Sequence, residues 1–278
     1  MIRLKKEPGL LQQKPISPSL YWLGQAGFWL DLPSIKILID PYLSNSLATK
    51  YAGTRFPHQR MVPPPLAVCD LPKPDLVLIT HAHTDHMDPE TLAPLANRFP
   101  KLSFMVPQAK LDVAKERIGD NANFIPVDAG RVIDIGERTT ITVFPASHEK
   151  IDLNPEGLHP YLGYGISSDN LRIFHPGDTI LFPELEERVS KFQPDIALLP
   201  VNGRDQHRSE NGIPGNMSLE EAISFCQRIN ISTMVAHHFG MFDFNTIDPA
   251  LIERQANQSD KLEILRPDIG RIYSISKY

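Results

Sequence analysis

The chain has 278 residues, 41% of them hydrophobic and 22% charged, with a net charge of −5. This is an ordinary globular composition, long enough for a large core, and an α/β fold of this length is commonly one domain. The acidic balance excludes nucleic acid as a bulk partner, and no stretch of about 18 apolar residues could cross a membrane.

Residues 1–18 carry charges but no apolar h-region, so they read as an irregular lead-in rather than a signal peptide. Cys69 and Cys226 match no zinc or redox spacing. They read as reduced thiols, which makes a cytoplasmic protein the expectation. Turn signals at Gly24–Gly27 and Pro33-Ser34 separate strands at Leu20–Leu23, Phe28–Leu32 and Ile37–Ile39, an antiparallel meander ending at Asp40-Pro41. The proline-dense segment 57–74 reads as an ordered loop at the rim of a site.

Leu76–Thr80 is a short apolar strand that leads into Thr80–Asp88, T-H-A-H-T-D-H-M-D. Asp88-Pro89 then starts a helix with an apolar stripe at Leu92, Leu95, Ala96 and Phe99. Leu102–Val106 is a strand, Gln108–Ile118 a helix closed by Gly119, and Phe124–Pro126 and Thr139–Phe144 are strands. His148 lies just past the last of these. Tyr161–Ser167 and Leu171–Phe174 form a hairpin that delivers His175-Pro176-Gly177-Asp178-Thr179. A helix at Pro183–Phe192, a strand at Ile196–Leu199 and a polar loop from Val201 to Met217 follow. Ser218–Glu221 is a capping box that opens a helix to Ile229. The strand Thr233–Ala236 ends at His237-His238, Asp248-Pro249 opens a last helix, and Glu263–Leu265 and Arg271–Ser274 are strands. Strands in two blocks interleaved with helices layer naturally as two packed sheets with helices outside.

His81, His83, Asp85 and His86 concentrate metal-ligating side chains directly after an apolar strand. Two imidazoles at i and i+2 can chelate one ion, and Asp85 and His86 can face a second. Nitrogen with carboxylate oxygen suits zinc, and also manganese or iron(II). His148, Asp178 and the His237-His238 pair also fall just after strands. Adjacent strand residues face opposite ways, so only one of that pair should ligate, and alternation does not choose.

The motif T-H-A-H-T-D-H, with Ser147-His148, Gly177-Asp178-Thr179 and His237, resembles the metallo-β-lactamase superfamily. W-L-G-Q-A-G-F-W-L at 22–30, I-D-P-Y-L-S at 39–44, H-P-G-D-T at 175–179, and the segment from N-M-S-L-E-E-A to A-H-H-F resemble its L-ascorbate-6-phosphate lactonase-like branch. The resemblance runs from about Leu20 to the C-terminus. It implies a four-layer αββα sandwich over 1–278 with two divalent ions, zinc or manganese with iron as an option, at one edge between the sheets. It implies that His81, His83 and His148 hold the first ion, that Asp85, His86 and His237 hold the second, and that Asp178 bridges both. It favours His237 over His238.

The chemistry expected is hydrolysis by metal-bound hydroxide of a lactone or ester in a small, anionic, sugar-like substrate, with a phosphorylated sugar the first expectation, and with Asp85 orienting the nucleophile or passing a proton to the leaving alkoxide. Asp40 is placed to accept the free N–H of a ligating histidine. Gln25, Arg204, His207 and Arg208 are the substrate candidates, the last three as an anion grip. His175 reads as a hydrogen-bonded or pocket-wall residue, and His58 and His159 as loop residues. A phosphodiesterase of the N-acyl-phosphatidylethanolamine phospholipase D type is the first rival, and a non-catalytic scaffold a second. Nuclease and flavin-coupled di-iron readings fit less well. Self-association into a homo-oligomer is compatible with the sequence.

Overall fold

A computed structural model describes residues 2–8, 11, 18–148 and 150–277. The first half of the chain runs β1 (Ile2–Glu7), β2 (Ser19–Gly24), β3 (Gly27–Asp31), β4 (Lys36–Ile39), α1 (Ser46–Lys50), β5 (Leu76–Leu78), α2 (Pro89–Arg98), β6 (Ser103–Pro107), α3 (Leu111–Ile118) and β7 (Asn123–Val127). The second half runs β8 (Val132–Asp134), β9 (Thr139–Pro145), β10 (Leu162–Ser168), β11 (Leu171–His175), α4 (Pro183–Phe192), β12 (Ile196–Pro200), α5 (Gln206–Glu210), α6 (Leu219–Arg228), β13 (Thr233–His237), α7 (Pro249–Gln258), β14 (Glu263–Leu265) and β15 (Ile272–Lys277).

These strands form two mixed sheets, ordered β1-β15-β2-β3-β4-β5-β6-β7 and β14-β13-β12-β11-β10-β9-β8. Strand alternation decides what each face meets. Leu76 and Leu78 of β5 point into the core between the sheets, with Phe28, Leu30, Val143 and Phe174. Val77 and Ile79 point the other way, onto Leu92 and Leu95 of α2 and Ala114 and Ile118 of α3. On the far side, Leu185 and Val189 of α4 and Phe225 of α6 cover the second sheet. The result is an αββα sandwich, because each sheet buries both faces.

The expected irregular lead-in is corrected for residues 2–7. They form β1, which pairs antiparallel with β15 from Ile2↔Lys277 to Glu7↔Ile272. Ile2 and Leu4 are buried while Arg3 and Lys5 are exposed. Charged residues on the exposed positions of an edge strand mask its alternation and discourage further pairing. The rest of that lead-in lies largely outside the described residues. The 57–74 loop contains a short 3-10 turn at Val68–Asp70, tied down where Arg98 donates to the carbonyls of Val68 and Leu71.

Helix starts are where the sequence puts them. Asp88 caps α2 by accepting from the Glu90 amide ahead of Pro89. Ser218 and Glu221 form the capping box of α6. Asp88 also accepts from Ser46 Oγ at 2.8 Å, which joins α1 to the end of the histidine-rich segment.

Candidate metal centre

Several strand ends and turns converge at one edge of the sandwich. β5 delivers His81, His83, Asp85 and His86, the segment after β9 delivers His148, and that after β11 delivers Asp178. Two sets of potential ligand atoms gather there, each within 4.8 Å: His81, His83, His148 and Asp178, and Asp85, His86 and His238. Asp178 touches both sets. Its Oδ1 lies 3.3 Å from His86 Nε2, and its Oδ2 lies 3.7 Å from His148 Nε2 and 2.9 Å from His238 Nε2.

The outer hydrogen bonds fix which ring nitrogen faces inward. His86 Nδ1–H donates to Asp40 Oδ2 at 2.7 Å, and His148 Nδ1–H donates to the Gly215 carbonyl at 3.0 Å. Thr80 spends both donors on Asp40, its amide at 2.8 Å and its hydroxyl at 2.6 Å. Its oxygen, 3.0 Å from His81 Nδ1, is then left to accept from that nitrogen. Each Nε2 lone pair therefore points toward the cluster, as second-sphere partners of a metal site arrange it.

Within the described residues, the buried Nε2 atoms of His81, His86 and His148 and Oδ1 of Asp178 have no hydrogen-bond partner. A buried polar atom left unpaired costs about 1–3 kcal/mol. Three of these atoms belong to the first set and His86 Nε2 to the second, an arrangement that fits a cation at each. The donor set suits zinc, manganese or iron(II).

The electrostatics agree. Burial holds His81 well below the ordinary histidine range and lowers His148. Burial together with the neighbouring His148 pushes His83 down to about 4. Burial opposes charge on His86 too, but the carboxylates of Asp178, Asp40 and Asp85 override it and raise its pKa well above the usual value. Burial works against ionised Asp178 and Asp85, yet His238 and His86 hold both carboxyls low. Neutral His81, His83 and His148 beside ionised carboxylates are in the protonation states that bind a divalent ion, while His86, whose charged form the carboxylates favour, would give up its inward proton to one.

Backbone geometry serves the same point. Gln25, Asp40 and His238 have φ of +50°, +40° and +60°, a region uncommon for residues other than glycine. Such strain collects at functional sites. Gly177 has φ of +68°, and a Cβ there would lie 2.7 Å from Thr80 Cβ and 2.8 Å from the Leu162 carbonyl oxygen, so glycine lets Asp178 reach the cluster.

Three expectations are corrected. His238, not His237, completes the second set. His237 is the last residue of β13, and its ring stacks on His175 at 4.8 Å inside the core. His238 is the first residue off the strand, and its left-handed backbone frees it from the alternation that would have pointed it away. Second, Gln25 does not line the cavity. It is fully buried, and its Nε2 donates to Asp85 Oδ2 at 2.8 Å and lies 3.1 Å from His238 Nε2.

Third, the residues expected to grip an anion do not line the cavity. Arg204 forks onto both carboxylate oxygens of Glu221 at 2.6 and 2.7 Å. Arg208 binds Asp205 at 2.6 Å and the Asn202 carbonyl at 3.0 Å. Neither lines the cavity, and neither does His207, which sits behind Arg55. Asp205 caps α5 within the loop and pairs with Arg208, while Glu221 of α6 takes Arg204. His175 is held between the Ala26 carbonyl and the Gly177 amide. His159 pairs with Asp128 at 3.0 Å.

The cluster opens into a cavity of about 610 Å³. Asp85, Asp178, His83, His148 and His238 lie on its floor. Tyr51, Phe56, His58, Phe242 and Phe244 form an aromatic wall, and Lys50, Arg55 and Arg117 bring positive charge. His58 stacks on Tyr51 at 4.2 Å and meets Phe242 and Phe244 edge-on. Arg117 braces the motif from behind, donating to the carbonyls of Ala82 and Met87. Tyr161 packs on His81 and His148, each at 5.2 Å. None of these was singled out from the sequence except His58, read as a loop residue, and Tyr161, read as part of a strand.

Comparison with known proteins agrees with this geometry. A family described as the β-lactamase superfamily domain matches residues 36–239. An N-acyl-phosphatidylethanolamine-hydrolyzing phospholipase D of Caenorhabditis elegans is 25% identical over 256 residues, 88% of this chain and 68% of its own. A UPF0173 metal-dependent hydrolase of Caldivirga maquilingensis is 29% identical over 231 residues, 83% of this chain and 86% of its own. Among solved structures, an isothiocyanate hydrolase from Delia radicum gut bacteria superposes with a TM-score of 0.73 at 22% identity, covering 93% of this chain and 100% of its own. At that identity the likeness speaks for the fold alone.

Proposed function

Because the chain belongs to the metallo-β-lactamase superfamily, we propose that it is a metal-dependent hydrolase that opens an ester or lactone bond in a small anionic substrate. The observation that carries this reading is the set of unpaired inward nitrogens around Asp178. His81, His83, His148 and Asp178 would hold one ion, and Asp85, His86 and His238 the second, with Asp178 shared. Divalent ions bound there would polarise the scissile carbonyl and make hydroxide available near neutral pH.

The chain's own residues do the rest. Asp85 faces the cavity and is held by Gln25, so it can orient the attacking oxygen and pass a proton to the leaving alkoxide. Asp40 and Gly215 keep His86 and His148 in the ligating tautomer. The aromatic wall excludes water and offers an apolar surface to the substrate body. With Arg204 turned to Glu221 of α6 and Arg208 to Asp205 of its own loop, a phosphorylated sugar loses the support first given to it, and anion recognition passes to the cavity mouth.

A phosphodiester substrate is the second reading. The Caenorhabditis elegans relative named for that chemistry and the apolar cavity wall favour it. Metal-loaded protein should be assayed against esters, lactones and phosphodiesters of matched size. Hydrolysis of esters or lactones supports the first reading, hydrolysis confined to phosphodiesters the second, and no hydrolysis of any class refutes both. No helix among the described residues is long and apolar enough to cross a membrane.

A further inference from the structure

We propose that Arg55 is the residue that selects an anionic substrate, a carboxylate or a phosphomonoester, at the cavity mouth. The proposal rests on the hydrolase reading above, but its test does not. Arg55 lies in the segment after α1 and lines the cavity. Its guanidinium spans to the opposite wall, 156 residues away, where Nη1 donates to Asn211 Oδ1 at 2.9 Å. Nη2 lies 3.5 Å from His207 Nε2, and the group sits over the Phe56 ring at 5.3 Å. Asn211 is itself held, donating from Nδ2 to the His207 carbonyl at 2.7 Å.

None of these partners is an acid. They fix the direction of the guanidinium without cancelling its charge, and no carboxylate among the described residues pairs with it. That separates it from Arg204 and Arg208, whose charges are matched by Glu221 and Asp205. An arginine carries five N–H donors, so donors remain for a ligand after the two contacts to the wall. An oriented guanidinium with no acid partner among the described residues, beside an aromatic surface, suits an anion joined to an apolar body, since the planar fork matches carboxylate and phosphate. Lys50, on the same wall over the Tyr51 ring at 5.2 Å, adds a second positive charge. Among the described residues, the acids that line the cavity are Asp85 and Asp178, both in the ligand sets.

The test is calorimetric titration of zinc-loaded protein with benzoate, phenyl phosphate and benzyl alcohol. Wild type should bind one of the anions more tightly than the alcohol, and the stronger of the two identifies the preferred group. Arg55→Gln should weaken that anion roughly tenfold, the loss expected for a charge-assisted hydrogen bond. It should leave the alcohol within about twofold. Arg55→Lys should retain part of the preference, and Asn211→Ala, which keeps the charge but removes its anchor, should lie between. The proposal is overturned if Arg55→Gln leaves anion binding unchanged, if it weakens the alcohol equally, or if wild type shows no preference. An Arg55 effect in a protein that hydrolyses none of the ester, lactone or phosphodiester panel would refute the hydrolase reading and leave the anion site standing.

Discussion

Gln25 Nε2 lies 2.8 Å from Asp85 Oδ2 and 3.1 Å from His238 Nε2, so one amide from the β2–β3 turn touches two members of the second ligand set. Gln25 is thus a positioning residue for Asp85. Asparagine tolerates the left-handed backbone at this position but is one methylene too short to reach. Gln25→Asn should therefore lower kcat by roughly 10- to 100-fold, the scale of effect when a reacting group is displaced by about 1 Å. Metal content should be unchanged. Loss of metal in proportion to activity would make Gln25 a structural support of the ion site instead.

Asp40 accepts from His86 Nδ1 and twice from Thr80. Asp40→Asn keeps the shape but turns an amide donor toward groups that also donate. Metal affinity should fall by about 10- to 100-fold, as for other partners that orient ligating histidines. Competition with a chromophoric chelator measures it, and unchanged affinity would remove Asp40 from the site's support.

Arg204→Ala breaks an ion pair whose members are 40% and 33% exposed, so stability should change by at most about 1 kcal/mol. KM for an anionic substrate should stay within about twofold of wild type, in contrast to Arg55→Gln. A selective rise in KM for Arg204→Ala would restore the loop between Val201 and Met217 as the anion grip.

The metal-stripped protein should lose stability as pH falls below about 6.5. Folded His81, His83 and His148 bind protons more weakly than their unfolded counterparts, because burial disfavours the charged ring. The unfolded state takes up protons first, which favours unfolding, and the contribution of His83 levels off near its folded value of about 4. His86 is shifted the other way, so its contribution is already complete below the unfolded value and does not offset the loss. Urea denaturation of chelator-treated protein at pH 7 and pH 5 checks this. Equal midpoints would contradict the burial of neutral rings.

The fold was legible because strand periodicity and helix caps are local. Leu76–Ile79 alternates between two cores, and Asp88-Pro89 and Ser218–Glu221 name their own helix starts. His81, His83, Asp85 and His86 were legible because they are dense in sequence. His238 was not, because a positive φ overrides strand alternation. The destination of Arg204 depended on Glu221, 17 residues on, and that of Arg55 on Asn211, 156 residues on. Pairings at such distances are decided by tertiary packing, so a basic loop and a lone arginine looked alike until the sheets brought their partners together.

We propose that His81, His83, His148 and Asp178, with Asp85, His86 and His238, hold divalent metal for hydrolysis. This is tested most directly by the metal-to-protein ratio of zinc-loaded wild type, His238→Ala and His237→Leu, measured by inductively coupled plasma mass spectrometry beside ester and lactone hydrolysis. Wild type should bind two ions and hydrolyse, His238→Ala should lose about one ion and most activity, and folded His237→Leu should keep both ions. A wild type that binds no transition metal, or a His237→Leu that loses metal while His238→Ala retains it, would contradict the account.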